Sequence, residues 1–330
     1  MSTYVGIDVG AKRCEWAWRE AGCAREGGSF EQNPGGHAAV IARLKRLVPE
    51  RVVLEATGVY YLDLALALHA AGLPVAVINP KSFHHFVQLK LKVSKTDRLD
   101  AGLLAEYAER MRPALWTPPE PTCLALRDIG RQIGRLTHMR TQAKNRLHAL
   151  TAKCATPRLL INDERAGIRA LDRRARLSQA GDELIAQAPA LAKHFACLRT
   201  AKGIGRISAV ALLGELCVLP EEMKTAQLAR HAGLDVRLTQ SGTSVNKPGR
   251  LSKSGNRYLR AALYMPALSA VRYDPHARAF YHALIARGKE KLQALCAVMR
   301  KYLTGLWACL KAGEPFDSSR LFSSIHIQGA

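Results

Sequence analysis

Two short stretches constrain the fold of this chain more than any others: Tyr4-Val5-Gly6-Ile7-Asp8-Val9-Gly10 and Arg51-Val52-Val53-Leu54-Glu55-Ala56-Thr57-Gly58. Each is an apolar, β-branched run that ends in a carboxylate and then glycine, which reads as a buried strand leaving a sheet through a turn. Lys12 to Glu20 alternates Cys14, Trp16 and Trp18 with charged residues, as a half-buried strand does. Gly27-Gly28 reads as a turn, and Ser29-Phe30-Glu31 as a short third strand. His37 to Leu47 and Tyr60 to Ala71 have helical spacing, with Gly72 closing the second. Pro74 to Ile78 is another apolar strand, stopped at Asn79-Pro80. The order β-β-β-α-β-α-β-α predicts a mixed sheet flanked by helices.

Asp8 and Glu55 sit where strands leave the sheet, and open α/β sheets place ligands at the carboxyl ends of strands. A lone acid there is as often a turn or helix cap. A second acidic feature follows in Ser94-Lys95-Thr96-Asp97-Arg98-Leu99-Asp100-Ala101. If that segment opens a helix, Asp97 and Asp100 share a face one turn apart. Alone, such a pair is more often a first helical turn capped by Thr96, where acids suit the helix dipole. Together with Asp8 and Glu55 it makes four carboxylates able to converge. Four unpaired carboxylates in one place need divalent cations. Hard oxygen ligands without His or Cys point to Mg²⁺ or Mn²⁺. Such ions activate an oxygen nucleophile and stabilise a leaving oxygen at phosphate.

Charge is divided along the chain. Residues 1–120 hold 15 Lys+Arg against 13 Asp+Glu, residues 121–180 hold 13 against 4, and residues 199–330 hold 20 against 8. The net charge of +22 therefore lies behind the acidic features and predicts a polyanionic partner there. The eight cysteines form no C-x-x-C and have no clustered histidines, which argues against a zinc site or a disulfide framework. Met1 to Tyr4 runs straight into a strand, so no signal peptide is expected, and no apolar run is long enough for a membrane span. A cytoplasmic protein is the expectation.

Gly6-Ile7-Asp8, Leu54-Glu55-Ala56-Thr57-Gly58, Ile78-Asn79-Pro80 and Lys95 to Ala101 together resemble the N-terminal domain of the DEDD-type insertion-sequence transposases. These are relatives of the pilin-gene invertases and are known as bridge-RNA-guided recombinases. The resemblance implies a RuvC-like, RNase H-like α/β domain over 1–117. It makes Asp8, Glu55, Asp97 and Asp100 the catalytic, metal-binding acids.

Pro113, Pro118, Pro119 and Pro121 mark a boundary, with Trp116 as an anchor for the linker. Beyond it, Ile129, Ile133, Leu136, Arg140, Ala143, Leu147 and Leu150 form a heptad seam with a basic intrusion at Arg140. A second helical stretch spans about 168–192. The segment 118–195 thus reads as a basic helical arm, either an antiparallel pair or a coiled coil between subunits, with Arg131, Arg135 and Lys144 as candidate nucleic-acid contacts. A solvated charged face is the plainer alternative. The family resemblance implies subunit association and RNA contact for this arm.

In 196–330, Lys202-Gly203-Ile204-Gly205-Arg206 resembles the hairpin of helix-hairpin-helix modules, whose backbone N–H groups meet phosphate; a plain helix–helix turn is the alternative. Gln240-Ser241-Gly242-Thr243-Ser244 and Lys247 to Arg257 form a polar, basic, glycine-rich loop before a helix over 258–265. There Lys247, Arg250, Lys253 and Arg257 are candidate phosphate contacts. The order Gln240-Ser241-Gly242, Gly249-Arg250-Leu251-Ser252-Lys253-Ser254-Gly255-Asn256, Tyr258-Leu259-Arg260 is similar to that family's mostly helical C-terminal transposase domain. The resemblance makes Ser241 its nucleophile. The expected protein is a DNA transposase/recombinase that acts with a guide RNA, as a homo-oligomer (dimer or tetramer). Its rivals are a resolvase-like nuclease using water, and a non-catalytic architectural binder.

Overall fold

A computed structural model describes residues 2–90, 96–242 and 245–322, the side chains of 245–248 excepted. The chain divides into two compact units, Met1–Pro118 and Pro119–Ala330.

The first unit is built on a five-stranded sheet of order β3-β2-β1-β4-β5. Strands β1 (Thr3–Val9), β2 (Arg13–Glu20) and β3 (Cys23–Glu31) are antiparallel neighbours, whereas β4 (Arg51–Glu55) and β5 (Val75–Ile78) run parallel to β1. The sheet is therefore mixed, as the order of elements in the sequence predicts. Alternation along β1 and β4 sends Val5, Ile7, Val52 and Leu54 into one core. There they meet Leu44 of α1 (Pro34–Leu47) and Leu64 and Leu68 of α2 (Tyr61–Ala70). The other face of the sheet is covered by α3 (Pro80–Leu89) and α4 (Asp97–Met111) through Tyr4, Val53, Phe83, Phe86, Leu104 and Tyr107.

Two details differ from the sequence reading. Gly27-Gly28 is not a turn but lies within β3, which is longer than expected, where the register with β2 slips at Trp16/Ala17. A Cβ on Gly27 would stand 2.3 Å from the Trp16 ring, so glycine here makes room for the indole at a bulge. The turn is instead Ala21-Gly22, both at positive φ (49° and 81°), as a tight two-residue hairpin requires. Asn79-Pro80 does not merely stop β5. Asn79 accepts from the Lys81 amide at 2.9 Å and Pro80 occupies the first turn of α3, a helix the sequence reading missed.

Gly6 fixes how α4 sits. A Cβ there would stand 2.2 Å from the Ala105 nitrogen and 2.3 Å from the Ala101 carbonyl oxygen, so helix and strand meet backbone to backbone. Trp116 anchors the segment that leaves the unit: its amide donates to the Val75 carbonyl at 2.8 Å, and its ring meets His69 edge-on.

In the second unit α5 (Pro121–Thr151) is one 31-residue helix. The second helical stretch is broken into α6 (Arg158–Leu171), α7 (Arg174–Gln187) and α8 (Pro189–Arg199). Ion pairs Arg146–Glu164 (2.6 Å) and Arg140–Asp172 (2.7 Å) lay α6 antiparallel along α5, so the basic intrusion in the seam has a local acid. The base of α5 shares one core with the C-terminal part. Leu126 and Ile133 pack with Leu198, with Leu212 and Leu213 of α9 (Arg206–Leu216), with Leu259 and Leu263 of α11 (Arg257–Tyr273), and with Tyr302 and Leu306 of α13 (Lys291–Ala312). Between α10 (Thr225–His231) and α11, the expected polar loop is a two-stranded ribbon, β6 (Val236–Ser241) and β7 (Val245–Leu251). The C-terminal helical tail is two helices, α12 (Pro275–Ala286) and α13, followed by the short α14 (Ser318–Leu321). Among the described residues no helix is long and apolar enough to cross a membrane.

Gly6→Ala is expected to cost about 1–3 kcal/mol or more by forcing α4 off the sheet. Gly102→Ala, whose added methyl meets nothing, is the control. Thermal unfolding followed by circular dichroism should show a Tm lowered by several degrees for the first variant only.

Candidate active site

Pleat and register place the first two acids. Ile7 pairs with Leu54, so Asp8 and Glu55 stand side by side at the carboxyl ends of adjacent parallel strands, on the face that α4 covers. Thr96 caps α4, accepting from the Leu99 amide at 3.3 Å, so the cap expected from the sequence is present. Arg112, just past the other end of α4, donates to the Tyr4 hydroxyl at 2.9 Å near the start of β1. The helix therefore runs antiparallel to β1, and its N-terminus lies over the strand ends that bear Asp8 and Glu55. Asp97 is exposed in the first turn, and Asp100 is 9% exposed.

All four acids thus share one end and one face of the sheet, though among the described residues no three His, Cys, Asp or Glu side chains are close enough to share one ion. Glu55 Oε1 accepts from the Thr57 hydroxyl at 2.6 Å. The donor set fits a hard divalent cation: every group is a carboxylate oxygen. A fifth acid was missed. Glu15 pairs directly with Asp8 across β1 and β2, on the same face. The alternation that buries Cys14 and Trp16 already implied it, since it turns Glu15 the opposite way. Ser94 and Lys95 lie outside the described residues.

Ser241 ends β6, and all six residues of that strand are exposed. It pairs with Val245, and Gly242 turns the chain at φ 54°. Thr243 and Ser244 lie outside the described residues, as does the Lys247 side chain. His231, the nearest histidine in sequence, is half-buried at the end of α10, with Nε2 at 3.5 Å from Asn256 Nδ2. Burial, opposed by Glu215, keeps its pKa below the usual imidazole value.

The cations expected at phosphate fall into two groups. Lys202, Gly203, Gly205, Arg206, Arg250, Lys253, Arg257, Arg135 and Lys144 are exposed. In the 200–205 turn, buried Ile204 plugs the core and the Lys202 carbonyl accepts from the Tyr302 hydroxyl at 2.9 Å. Gly203 has φ 89°, and a Cβ there would stand 2.6 Å from the Pro266 oxygen. Gly205 leads into α9 with open space around it, while Arg206 pairs with Asp182 of α7. Arg131 differs: its guanidinium grips Glu215 with both Nε (2.6 Å) and Nη2 (3.0 Å).

Glu215 was missed. It lies in α9, which reads as an apolar buried helix, and its side chain is 3% exposed. A carboxylate inside an apolar run is itself the signal, because buried charge requires a partner. Asn256 Nδ2 adds a third hydrogen bond at 2.6 Å, and Asn256 Oδ1 caps α11 by accepting from Tyr258 and Leu259.

Residues 5–154 match a transposase profile of the DEDD type, and residues 196–282 match one described as the IS116/IS110/IS902 transposase family. The pilin gene-inverting protein of Moraxella bovis is 30% identical over 96% of this chain and 98% of its own length. The chain belongs to this transposase family. The pilin gene-inverting protein of Moraxella lacunata is 31% identical over 81% of each chain. Among solved structures, Thermus thermophilus RuvC in complex with a Holliday junction substrate matches 35% of the chain and 99% of its own, at 20% identity and TM-score 0.27, too slight a likeness to bear on the argument. Membership makes the chain a DNA transposase, an enzyme that binds DNA and cuts and transfers its strands.

Within this family member, Glu215→Ala should cost about 1–3 kcal/mol, because it leaves the half-buried Arg131 guanidinium and the Asn256 amide without their shared acceptor. Glu215→Leu combined with Arg131→Leu should recover much of that loss. Denaturant unfolding of the three variants tests the pair.

Proposed function

We propose that this transposase cuts DNA by attack of the Ser241 hydroxyl on a scissile phosphate, with Asp8, Glu55, Asp97 and Asp100 holding a divalent cation (Mg²⁺ or Mn²⁺) for the reaction. The Ser241 hydroxyl gives up its proton as its oxygen bonds to phosphorus, the bond to one deoxyribose oxygen breaks, and that oxygen takes up a proton in exchange. Re-attack by a deoxyribose hydroxyl of another strand frees the serine and completes exchange. The cation supplies charge neutralisation and oxygen activation at phosphate.

One observation carries the reading: the backbone contact at Gly6 sets the N-terminus of α4 over the ends of β1 and β4, so four carboxylates share one end of the sheet. Four acids facing a polyanion gain nothing unless a cation stands between them. Ser241, at the exposed end of a ribbon, is accessible to DNA but has no evident base beside it among the described residues, and a serine hydroxyl is a weak nucleophile without one. We assign its activation to the acidic end of the first unit, from the same subunit or another in a dimer or tetramer. The basic segments of the second unit, including the 200–205 turn read as a helix-hairpin-helix and the α5–α6 arm, supply the grip on DNA and on a structured guide RNA.

Incubation with cognate DNA and Mg²⁺ should yield protein linked to DNA on a denaturing gel. Ser241→Ala should abolish the adduct, and Asp8→Asn, Glu55→Gln, Asp97→Asn and Asp100→Asn should each lower its yield at least about a hundredfold, as should chelation. Cleavage that survives intact in Ser241→Ala would show water to be the nucleophile. Activity unchanged in all four acid variants would leave an architectural binder. For the guide, the protein purified from cells should carry one discrete RNA species that resists washing and disappears with RNase; random fragments would refute a specific guide.

A further inference from the structure

Where β7 runs out towards α11, the second unit builds a cationic cluster that neither the acids nor Ser241 accounts for. Arg131 and Arg135, one turn apart on α5, meet Arg257 and Tyr258 in the first turn of α11. The Arg131 guanidinium carbon lies 4.6 Å from the centroid of the Tyr258 ring, and that of Arg257 lies 5.0 Å away. Arg257 Nη2 donates to the phenol oxygen at 3.2 Å, which leaves the phenolic hydrogen as a donor. That hydrogen bond, opposed by burial and joined by the charges of Arg257, Arg131 and Arg135, holds the phenol below its usual pKa.

The parts differ in what they can offer a ligand. The Arg131 fork is taken by Glu215, which Asn256 also holds, and Asn256 fixes the Tyr258 backbone by capping α11. Arg131 therefore orients the ring rather than reaching outward. Arg135 and Arg257 are exposed. Guanidinium groups against the ring leave the hydroxyl, not a face for base stacking, as the part Tyr258 presents. Three guanidinium charges less the Glu215 carboxylate leave an excess of two positive charges beside one hydroxyl donor, since Asp128, which also acts on Arg131, is matched by Arg127 at 3.5 Å. That chemistry recognises a phosphate and reads no base.

We propose that Arg135, Arg257 and the Tyr258 hydroxyl clamp one backbone phosphate of the DNA strand on which Ser241 acts, with Arg131, Glu215 and Asn256 as positioning residues. This rests on the reading of Ser241 as nucleophile of a DNA recombinase. DNA is favoured over RNA because the clamp is continuous in chain with the ribbon bearing Ser241. Leu251, paired with Val236 at the base of the ribbon, precedes Arg257 by six residues, and Ser241 stands five residues along β6 from that base, an extended span of about 17 Å at roughly 3.4 Å per residue.

The test is binding without chemistry: Ser241→Ala protein in chelator, with fluorescently labelled random-sequence DNA and RNA duplexes of equal length, followed by anisotropy across a salt series. Tyr258→Phe should weaken DNA binding about tenfold with no change in the salt slope. Arg135→Gln and Arg257→Gln should each lower the slope by about 1, and Arg257→Lys should restore it. Arg131→Lys, which keeps the charge but loses the fork, should weaken binding, and that effect should vanish in the Tyr258→Phe background. A merely structural role would instead be additive. Unchanged DNA affinity and slope in all variants would overturn the clamp, as would losses confined to RNA. Failure of Ser241 to form an adduct would leave these binding results untouched, so the two readings fail separately. An adduct that persists in Ser241→Ala but is lost in Tyr258→Phe would make the tyrosine a nucleophile and overturn its role here.

Discussion

At Gly6 the backbone of α4 lies against the backbone of β1 with no side chain between them. Helices on a sheet are normally held off by interdigitating side chains, and their axial position is then a compromise among many contacts. Here the approach fixes it at one residue. The other contacts of α4 agree with that placement. Tyr107 packs edge-on against Phe83 and Phe86, Glu106 takes Lys90 and Arg110 at 2.7 Å each, and Glu109 takes Arg19. A helix pinned at its middle and far end presents its first turn at a defined height over the strand ends, which is what a set of acids drawn from three separate elements needs.

The second unit depends on a different device. Glu215 is a buried charge whose three hydrogen bonds come from α5 and from the residue that caps α11. Replacing such a cluster by apolar side chains need not cost stability. Its value lies in geometry, because the directed bonds of a carboxylate hold α5, α9 and α11 in one register, whereas an apolar contact permits sliding. Glycine works alongside it: Gly130 and Gly214 let α5 and α9 approach closely, a Cβ on Gly214 standing 2.8 Å from the Arg127 Cα.

Much of the first unit was legible because its signals are local. Apolar runs that end in an acid and a glycine gave β1 and β4 their place, and Thr96 gave α4 its start. What the sequence concealed were features decided by a partner at a distance. Gly27-Gly28 is indistinguishable from a turn until Trp16 is known to lie opposite. Asn79-Pro80 both stops a strand and starts a helix, and only the capping geometry shows the second role. The ribbon escaped because every residue of β6 is exposed, so the period-2 alternation that marks a strand has no cause to arise there. Glu15 and Glu215 could have been found, one from alternation and the other from its apolar surroundings. Asp97 and Asp100 by their spacing alone are more often first-turn residues; Asp8 and Glu55 at strand ends made them part of a converging set, and the family resemblance then gave that set its role.

The ribbon has a property of its own. Arg237 stands directly opposite Arg250 across its two strands, and like charges in that position work against pairing. Two strands without a third, one of them wholly exposed, have little else to hold them. The hairpin that bears Ser241 is thus self-repelling in the absence of counterions, and a neighbouring phosphate backbone removes the repulsion. Its order is tied to ionic surroundings, so a polyanion lying along the ribbon would firm the pairing that places Ser241 at its end.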